Sequence, residues 1–348
     1  MAGGDCTGSS SYTRPGVEPD PSSAPRVSVV IPVKDRRELL AATLDALDAQ
    51  TLAEGAVEVI VVDDGSSDGS GALARSRTVR GRPVVVVEGG GNGAVQARLV
   101  GVARAGADVL AFTDSDCVPR PRWLELALAE IDAGAALVNG RTVPARPPLP
   151  LERSLGSGLE GLYPTCNVLY RRAAFDEAGR FDVGAGRRWG FRPDRRSKGD
   201  GFGEDTLLAW RVIRAGGRAA YVEDAIVEHA VFPPDGRDMV SRTARVAAFP
   251  AMVKEVPELR ATLLRWGWQL GHRTRLPTYL TVAALLTRRP ALVGACLAWW
   301  AGLRLQELRR FPIPWSRRLQ VLPVEMGLDV LTAAALVGGS AKARSITL

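Results

Sequence analysis

Cysteine and histidine are scarce in this chain, with four Cys and two His in 348 residues. Cys6, Cys117, Cys166 and Cys296 are far apart and form no CxxC pair. That excludes a disulfide framework and a zinc knuckle, and it fits free thiols in a reducing compartment. No run reaches the roughly 18 uncharged apolar residues expected of a spanning helix. The longest uncharged stretches are Pro290–Leu303, Leu276–Thr287 and Val330–Ala341. The N-terminus holds Asp5 among Ser, Gly and Pro and lacks the basic and apolar segments of a signal peptide, so residues 1–25 are expected to form a disordered tail. No internal repeat is visible, and with 46% hydrophobic residues the collagen-like and wholly disordered classes are excluded.

The positive charge present is unevenly placed. The whole chain carries a net +7, but from Ser241 onward 16 Lys and Arg face 5 Asp and Glu, a net +11 against −4 for residues 1–240. Five of the eight Trp lie in the same stretch: Trp266, Trp268, Trp299, Trp300 and Trp315. Trp and Arg beside apolar runs suit a bilayer interface. Nucleic acid is the poorer partner, because Leu280–Leu286 and Leu292–Leu303 supply aliphatic surface that it does not need. Residues 241–348 are therefore expected to form a basic, helical, membrane-associating region that is peripheral or shallowly inserted.

Ahead of it the pattern is α/β. Arg26–Pro32, Val57–Val62, Val84–Val87 and Val109–Thr113 read as short buried strands, and Arg36–Gln50, Ser66–Arg77 and Gly93–Ala105 as the helices between them. This alternation predicts a doubly wound, mostly parallel sheet with helices on both faces over residues 26–240. After the Pro-rich link Pro144–Pro150 come an apolar Val168–Tyr170, a loop Gly184–Phe202 with six Arg or Lys, a helix Asp205–Ala215 and a strand Ala219–Val222.

Ligands of such sheets bind beyond the carboxyl ends of the strands, and there three strands end in carboxylates. Asp114-Ser115-Asp116 can present two carboxylates to a hard divalent cation, which in turn grips a diphosphate. Asp63-Asp64 can accept from a base N–H or a ribose hydroxyl. Glu204-Asp205 opens a helix, where Asp205 can serve as an N-terminal cap and also as a general base. His229 is a possible metal ligand if it meets Asp116 in space. Each also has a plainer use, as a turn, a cap or a packed histidine. Cys117 and Cys166 read as small packing residues.

In order along the chain, VSVVIPVKD, VEVIVVDDGSSDGS, GADVLAFTDSDCVPRPRWL, PTCNVLYRRAAFDEAGRFD and GFGEDTLLAWRVIRAGGRAAYVEDAIVEH resemble the family 2 glycosyltransferases, from about Arg26 to His229. The resemblance implies a GT-A fold and inverting transfer from a nucleotide-diphosphate sugar. It also implies that Pro32, Val33, Asp35 and Asp64 line the base and ribose pocket with Asp63 in support. Asp114 would touch ribose or metal beside Ser115, and Asp116, with His229, would bind Mn2+ or Mg2+. Asp205 would be the base, with Glu204 orienting the acceptor or its loop. Where members often carry Ala-Arg-Asn, this chain has Ala97-Arg98-Leu99, so only Arg98 is left as a donor contact. The acceptor would be a lipid-linked saccharide, a polyprenyl phosphate, a glycolipid or a natural product, met at the inner face of a cell membrane. The Ala-, Arg- and Gly-rich composition fits a high-GC bacterial coding sequence.

Two rivals compete with this reading. A nucleotidyltransferase would need a Gly-rich basic loop after the first strand, and VIPVKDRRELL has no glycine there. A non-catalytic sugar-nucleotide-binding or membrane scaffold would have no use for an intact Asp116 and Glu204-Asp205.

Overall fold

The computed structural model describes residues 24–158, 161–191, 201–271 and 273–348. All but two residues of the expected tail, and residues 192–200 of the basic loop, lie outside the described residues. The strands are β1 (Val27–Val33), β2 (Val57–Asp63), β3 (Thr78–Val79), β4 (Arg82–Pro83), β5 (Val85–Glu88), β6 (Val109–Phe112), β7 (Cys117–Pro119), β8 (Leu137–Pro144), β9 (Val168–Arg171) and β10 (Ala219–His229). The helices of the same region are α1 (Arg37–Asp48), α2 (Ser70–Arg75), α3 (Ala94–Arg104), α4 (Trp123–Asp132), α5 (Arg172–Glu177), α6 (Ala185–Arg188) and α7 (Glu204–Arg214). Then follow α8 (Gly236–Arg245), α9 (Phe249–Glu255), α10 (Leu259–Thr262), α11 (Arg275–Leu286), α12 (Pro290–Leu308) and α13 (Trp315–Ala343).

One eight-stranded sheet runs β5-β2-β1-β6-β9-β8-β10-β7. The half built by β5, β2, β1 and β6 is parallel, as the sequence pattern predicts. Beyond it β9 runs antiparallel to both β6 and β8, β10 is parallel to β8, and β7 is antiparallel to β10, so the far half is mixed. Every residue of β1 is buried because helices cover both faces. Val29 and Ile31 pack with Leu40 and Leu44 of α1, while Val30 packs in a second core with Val102 of α3 and Phe112, Phe175 and Leu208. This is the period-2 alternation of a strand serving two cores.

Two strands of the mixed half were not anticipated. β7 is three residues long, too short for any periodicity. β8 carries Asn139, Gly140 and Arg141, residues poor in strands. Gly140 is required there, since a Cβ would lie 2.2 Å from the Ala225 carbonyl oxygen and 2.6 Å from Asn167. The strand predicted over Ala219–Val222 continues to His229 across a register shift between Val222 and Val227. That extension carries His229 to the sheet edge where the first strands end.

The C-terminal helices pack on the α/β body through a core shared by Trp189, Phe191 and Leu207 with Met252, Val253 and Leu336. Helices α11, α12 and α13 enclose a polar knot. Asp329 Oδ2 accepts from Thr274 Oγ1 at 2.7 Å, Trp300 Nε1 at 2.9 Å and Arg304 Nη2 at 2.9 Å. With 29 residues and a mean hydropathy of 1.6 over its most apolar window, α13 is long and apolar enough to cross a membrane. Its uncharged run is short because Glu325 and Asp329 interrupt it while turning toward Arg304.

Candidate active site

A cleft of about 540 Å³ opens at the carboxyl ends of the first strands. Pro32 and Val33 come to it from the end of β1, Asp64 from just beyond β2, and Asp114, Ser115 and Asp116 from the turn after β6. Arg98 reaches it from α3, Glu204 from the first turn of α7, and His229 from the last position of β10. A hollow of similar size, about 500 Å³, lies between Trp189 and α13, is lined mainly by Ala and Gly, and holds none of these carboxylates.

The β2 turn fixes its two aspartates differently. Asp64 Oδ1 accepts from the Asn92 backbone N–H and Oδ2 from that of Gly93, both at 2.9 Å, which ties the strand end to the loop before α3. Each oxygen keeps a second lone pair for a ligand. Asp63 is buried and accepts from the Ser66 N–H at 2.8 Å, so it shapes the turn behind the cleft. Asp35 is exposed, and its Oδ1 accepts from the Ser67 N–H at 2.7 Å and the Ser67 hydroxyl at 3.0 Å. It joins two loops and is not part of the cleft wall.

His229 and Asp116 do meet, with Nε2 3.8 Å from Asp116 Oδ1. His229 Nδ1 lies 2.8 Å from the Ala230 carbonyl oxygen. A carbonyl only accepts, so Nδ1 donates to it and Nε2 is the ring nitrogen turned toward the carboxylate, the placement a ligating histidine needs. The Cys117 sulfur completes a group whose donor atoms lie within 4.8 Å of one another. A hydrogen bond with Cys166 and burial hold the Cys117 thiol well above the usual range, so it stays protonated and packs in the core as expected. Burial, and then the charge of Asp114, raise Asp116. A carboxylate so placed gains from a cation beside it, and the residues fit a divalent ion.

The third cluster departs from the sequence-based expectation. Arg98 is buried on the cleft wall, 2.5 Å from Asp114 Oδ1 and 4.0 Å from Glu204 Oε1, so two carboxylates share its charge. The N-cap of α7 is Gly203, not Asp205. Gly203 sits at φ +70°, and a Cβ there would be 2.7 Å from both Met252 Sδ and the Trp189 ring, so glycine is enforced just where the chain turns into Glu204. Glu204 lies on the cleft wall. Asp205 is half-buried behind it, accepting from the Thr206 N–H at 2.7 Å. Burial, and for Glu204 also the neighbouring Asp205 charge, raise the two carboxyls to about 7 for Glu204 and about 6 for Asp205. Such a pair exchanges protons near neutral pH.

Sequence reasoning missed the cations on the opposite wall, Lys34, Arg36 and Arg153. Lys34 and Arg36 stand inside the VIPVKDR motif and were visible there. Nothing in the chain around Arg153 marked it.

Residues 28–154 match the family model described as glycosyl transferase family 2. The glycosyltransferase AglE of Haloferax volcanii is 37% identical over 121 residues, which cover 34% of this chain and 40% of that protein. A pre-mycofactocin glycosyltransferase of Mycobacterium tuberculosis is 30% identical over 315 residues, covering 80% of this chain and 60% of that protein. The matched part thus spans 40% to 60% of these curated relatives. The mannosyltransferase PcManGT of Pyrobaculum calidifontis, solved in complex with GDP-Man and Mn2+, superposes with a TM-score of 0.54 at 19% identity, covering 95% of this chain and 91% of that one. The fold is of the GT-A type.

Proposed function

We propose that this chain, whose residues 28–154 match the glycosyl transferase family 2 model, transfers a sugar, with inversion, from a nucleotide-diphosphate sugar to an acceptor hydroxyl or phosphate. The observation that carries the reading is one cleft at the strand ends joining Asp64, Asp114, Asp116, Glu204 and His229.

Base and ribose lie along Pro32, Val33 and Asp64, with Asp63 and Asp35 fixing the loops behind. Asp114 and Ser115 adjoin the ribose. Asp116 and His229 would hold Mn2+ or Mg2+, with Asp114 alongside. Such an ion neutralises charge on a leaving diphosphate. The acceptor oxygen attacks the anomeric carbon from the face opposite the diphosphate, and the bond from that carbon to the diphosphate oxygen breaks. Where the acceptor is a hydroxyl, Asp205 takes its proton, while Glu204 on the wall orients the acceptor and shares the pair's charge. Arg98 keeps Asp114 and Glu204 compensated so that the cluster can be buried.

The donor site faces the cytoplasm, and the C-terminal helices rest peripherally on the inner face of the membrane. This supports lipid-linked saccharides or glycolipids as acceptors, alongside natural products. Exposed Leu286, Leu285, Leu319, Trp299 and Trp315 support that placement. The test is to incubate the full chain with UDP-, GDP- and dTDP-sugars, Mn2+ and an acceptor panel, and to read the product's anomeric configuration by NMR. Inverted product with release of nucleoside diphosphate is expected; retained configuration would refute the single displacement.

A further inference from the structure

Arg36 and Arg153 flank the cleft 117 positions apart in sequence, and a single aromatic ring brings them together. The guanidinium carbon of Arg36 lies 4.6 Å from the centroid of Phe232 and that of Arg153 lies 4.3 Å from it. Phe232 is held in place by paired backbone bonds: the Arg153 N–H donates to the Phe232 carbonyl at 2.9 Å, and the Phe232 N–H to the Arg153 carbonyl at 2.7 Å. The ring also meets His229 edge-on at 6.1 Å. The two arginines therefore stand beside the Asp116–His229 pair.

Their charge is under-compensated. The Arg36 guanidinium has no ion pair or hydrogen bond among the described residues. Arg153 lies 3.3 Å from Asp238 on α8, but Asp238 also pairs with Arg242 at 2.9 Å. The charged groups acting on Arg153 are thus Asp238 and Asp116 on one side and Arg242 and Arg36 on the other. Stacking uses the flat face of a guanidinium and leaves its in-plane N–H donors for a ligand. Two cations held close together repel each other unless an anion lies between them, and Arg98 across the cleft is already neutralised by Asp114 and Glu204.

We propose that Arg36 and Arg153, stacked on Phe232, form a phosphate-binding clamp on the outer wall of the cleft. It takes a phosphate group of the donor's diphosphate or the phosphate of a phosphorylated acceptor; the first source rests on the glycosyl-transfer reading above. Stacking presets both forks, so recognition needs little side-chain ordering at binding.

The full chain and its Arg36→Ala, Arg153→Ala and Phe232→Leu variants are titrated calorimetrically, with Mn2+ present, against UDP, GDP, inorganic pyrophosphate and the free nucleosides. A charge-assisted hydrogen bond lost per arginine predicts roughly 10- to 100-fold weaker binding of the phosphorylated probes, with nucleoside binding unchanged. Phe232→Leu, which keeps both charges but frees them, should weaken binding less than either arginine loss. Among the described residues the Arg36 guanidinium has the ring contact and no ion pair or hydrogen bond, so Arg36→Ala should keep the parent's melting temperature and serves as the decisive variant. Phosphorylated probes that bind Arg36→Ala and Arg153→Ala as tightly as the parent would overturn the clamp, as would a parent that binds none of them. Arginine-dependent pyrophosphate binding without consumption of any sugar nucleotide would keep the clamp and remove the glycosyl-transfer reading. Kinetics separate the two sources. A higher KM for the sugar nucleotide places the donor's diphosphate in the clamp, and a higher KM confined to dodecyl phosphate as acceptor places the acceptor's phosphate there.

Discussion

In the α/β body Val29, Val30 and Ile31 are completely buried, whereas in the C-terminal helices Leu286 is 84% exposed and Leu285 59%. The polar groups are disposed differently too. The body gathers Asp64, Asp114, Asp116 and Glu204 at a solvent-facing cleft. The helices turn Asp329, Thr274 and Arg304 inward around Trp300 and leave Leu and Trp outside. One region solves the burial problem within itself, and the other leaves an apolar surface that suits an apolar neighbour. The shared core at Trp189, Leu207, Met252 and Leu336 makes the two interdependent. Removing the chain from Ser241 onward would therefore uncover part of the body's own packing.

Substitutions on each side sharpen this contrast. The largest effect is expected at the cleft: Asp205→Asn should lower kcat by about 10²- to 10⁴-fold, as loss of a general base does, while melting temperature and donor binding hold. Turnover at the parent's rate would remove Asp205 from the chemistry. Next is the knot in the helices. Asp329→Ala takes the acceptor from the buried Trp300 N–H and one of three carboxylates from Arg304, which keeps Glu307 and Glu325; it should cost about 1–3 kcal/mol in denaturant unfolding, with the cleft chemistry untouched wherever the protein stays folded.

The pH dependence comes third. A base must be ionised to act, so kcat/KM should rise about tenfold per pH unit below the raised values of Asp205 and Glu204, about 6 and 7, and level off above them. Stability moves the opposite way. Both folded-state values lie above the ordinary 3.8 and 4.5, so the folded protein holds these protons longer, and the pair's contribution falls as pH rises from about 4 to about 7. A rate profile flat from pH 5 to pH 8 would contradict the assignment. The smallest effect on stability is expected for Leu286→Ser, within about 0.5 kcal/mol. Its partitioning onto anionic vesicles should nonetheless fall several-fold, and unchanged partitioning would mean that this face meets no bilayer.

The first half of the sheet was readable because β1 and β2 are β-branched runs and β6 an apolar one, all covered on both faces, so burial leaves its mark directly on composition. The second half was not, because its strands are specified by distant partners. Asn139 is tolerated in β8 since its amide donates to the Asn167 carbonyl, and Asn167 in turn accepts from Trp123 and donates to Ala225. None of these pairings is visible locally. The same distinction runs through the site. Asp64, Asp114 and Asp116 could be found from their place at strand ends, and Glu204 from its helix start. Asp35 has the same place after a strand, but its carboxylate is held by Ser67 and it does not line the cleft. The acids around Arg98 come from distant segments, and Arg153 is placed beside the cleft by its pairing with Phe232.

The central claim is that this cleft binds a nucleotide-diphosphate sugar with the help of a divalent ion. The most direct measurement is the melting temperature of the full chain with UDP-, GDP- and dTDP-sugars, with and without Mn2+, beside an Asp116→Ala variant. A donor at about 100 times its Kd adds about 2.7 kcal/mol of stability. The account predicts a clear upward shift for one nucleotide class, dependent on Mn2+ and absent in Asp116→Ala. Identical melting curves with and without every nucleotide sugar, in both metal conditions, would contradict it.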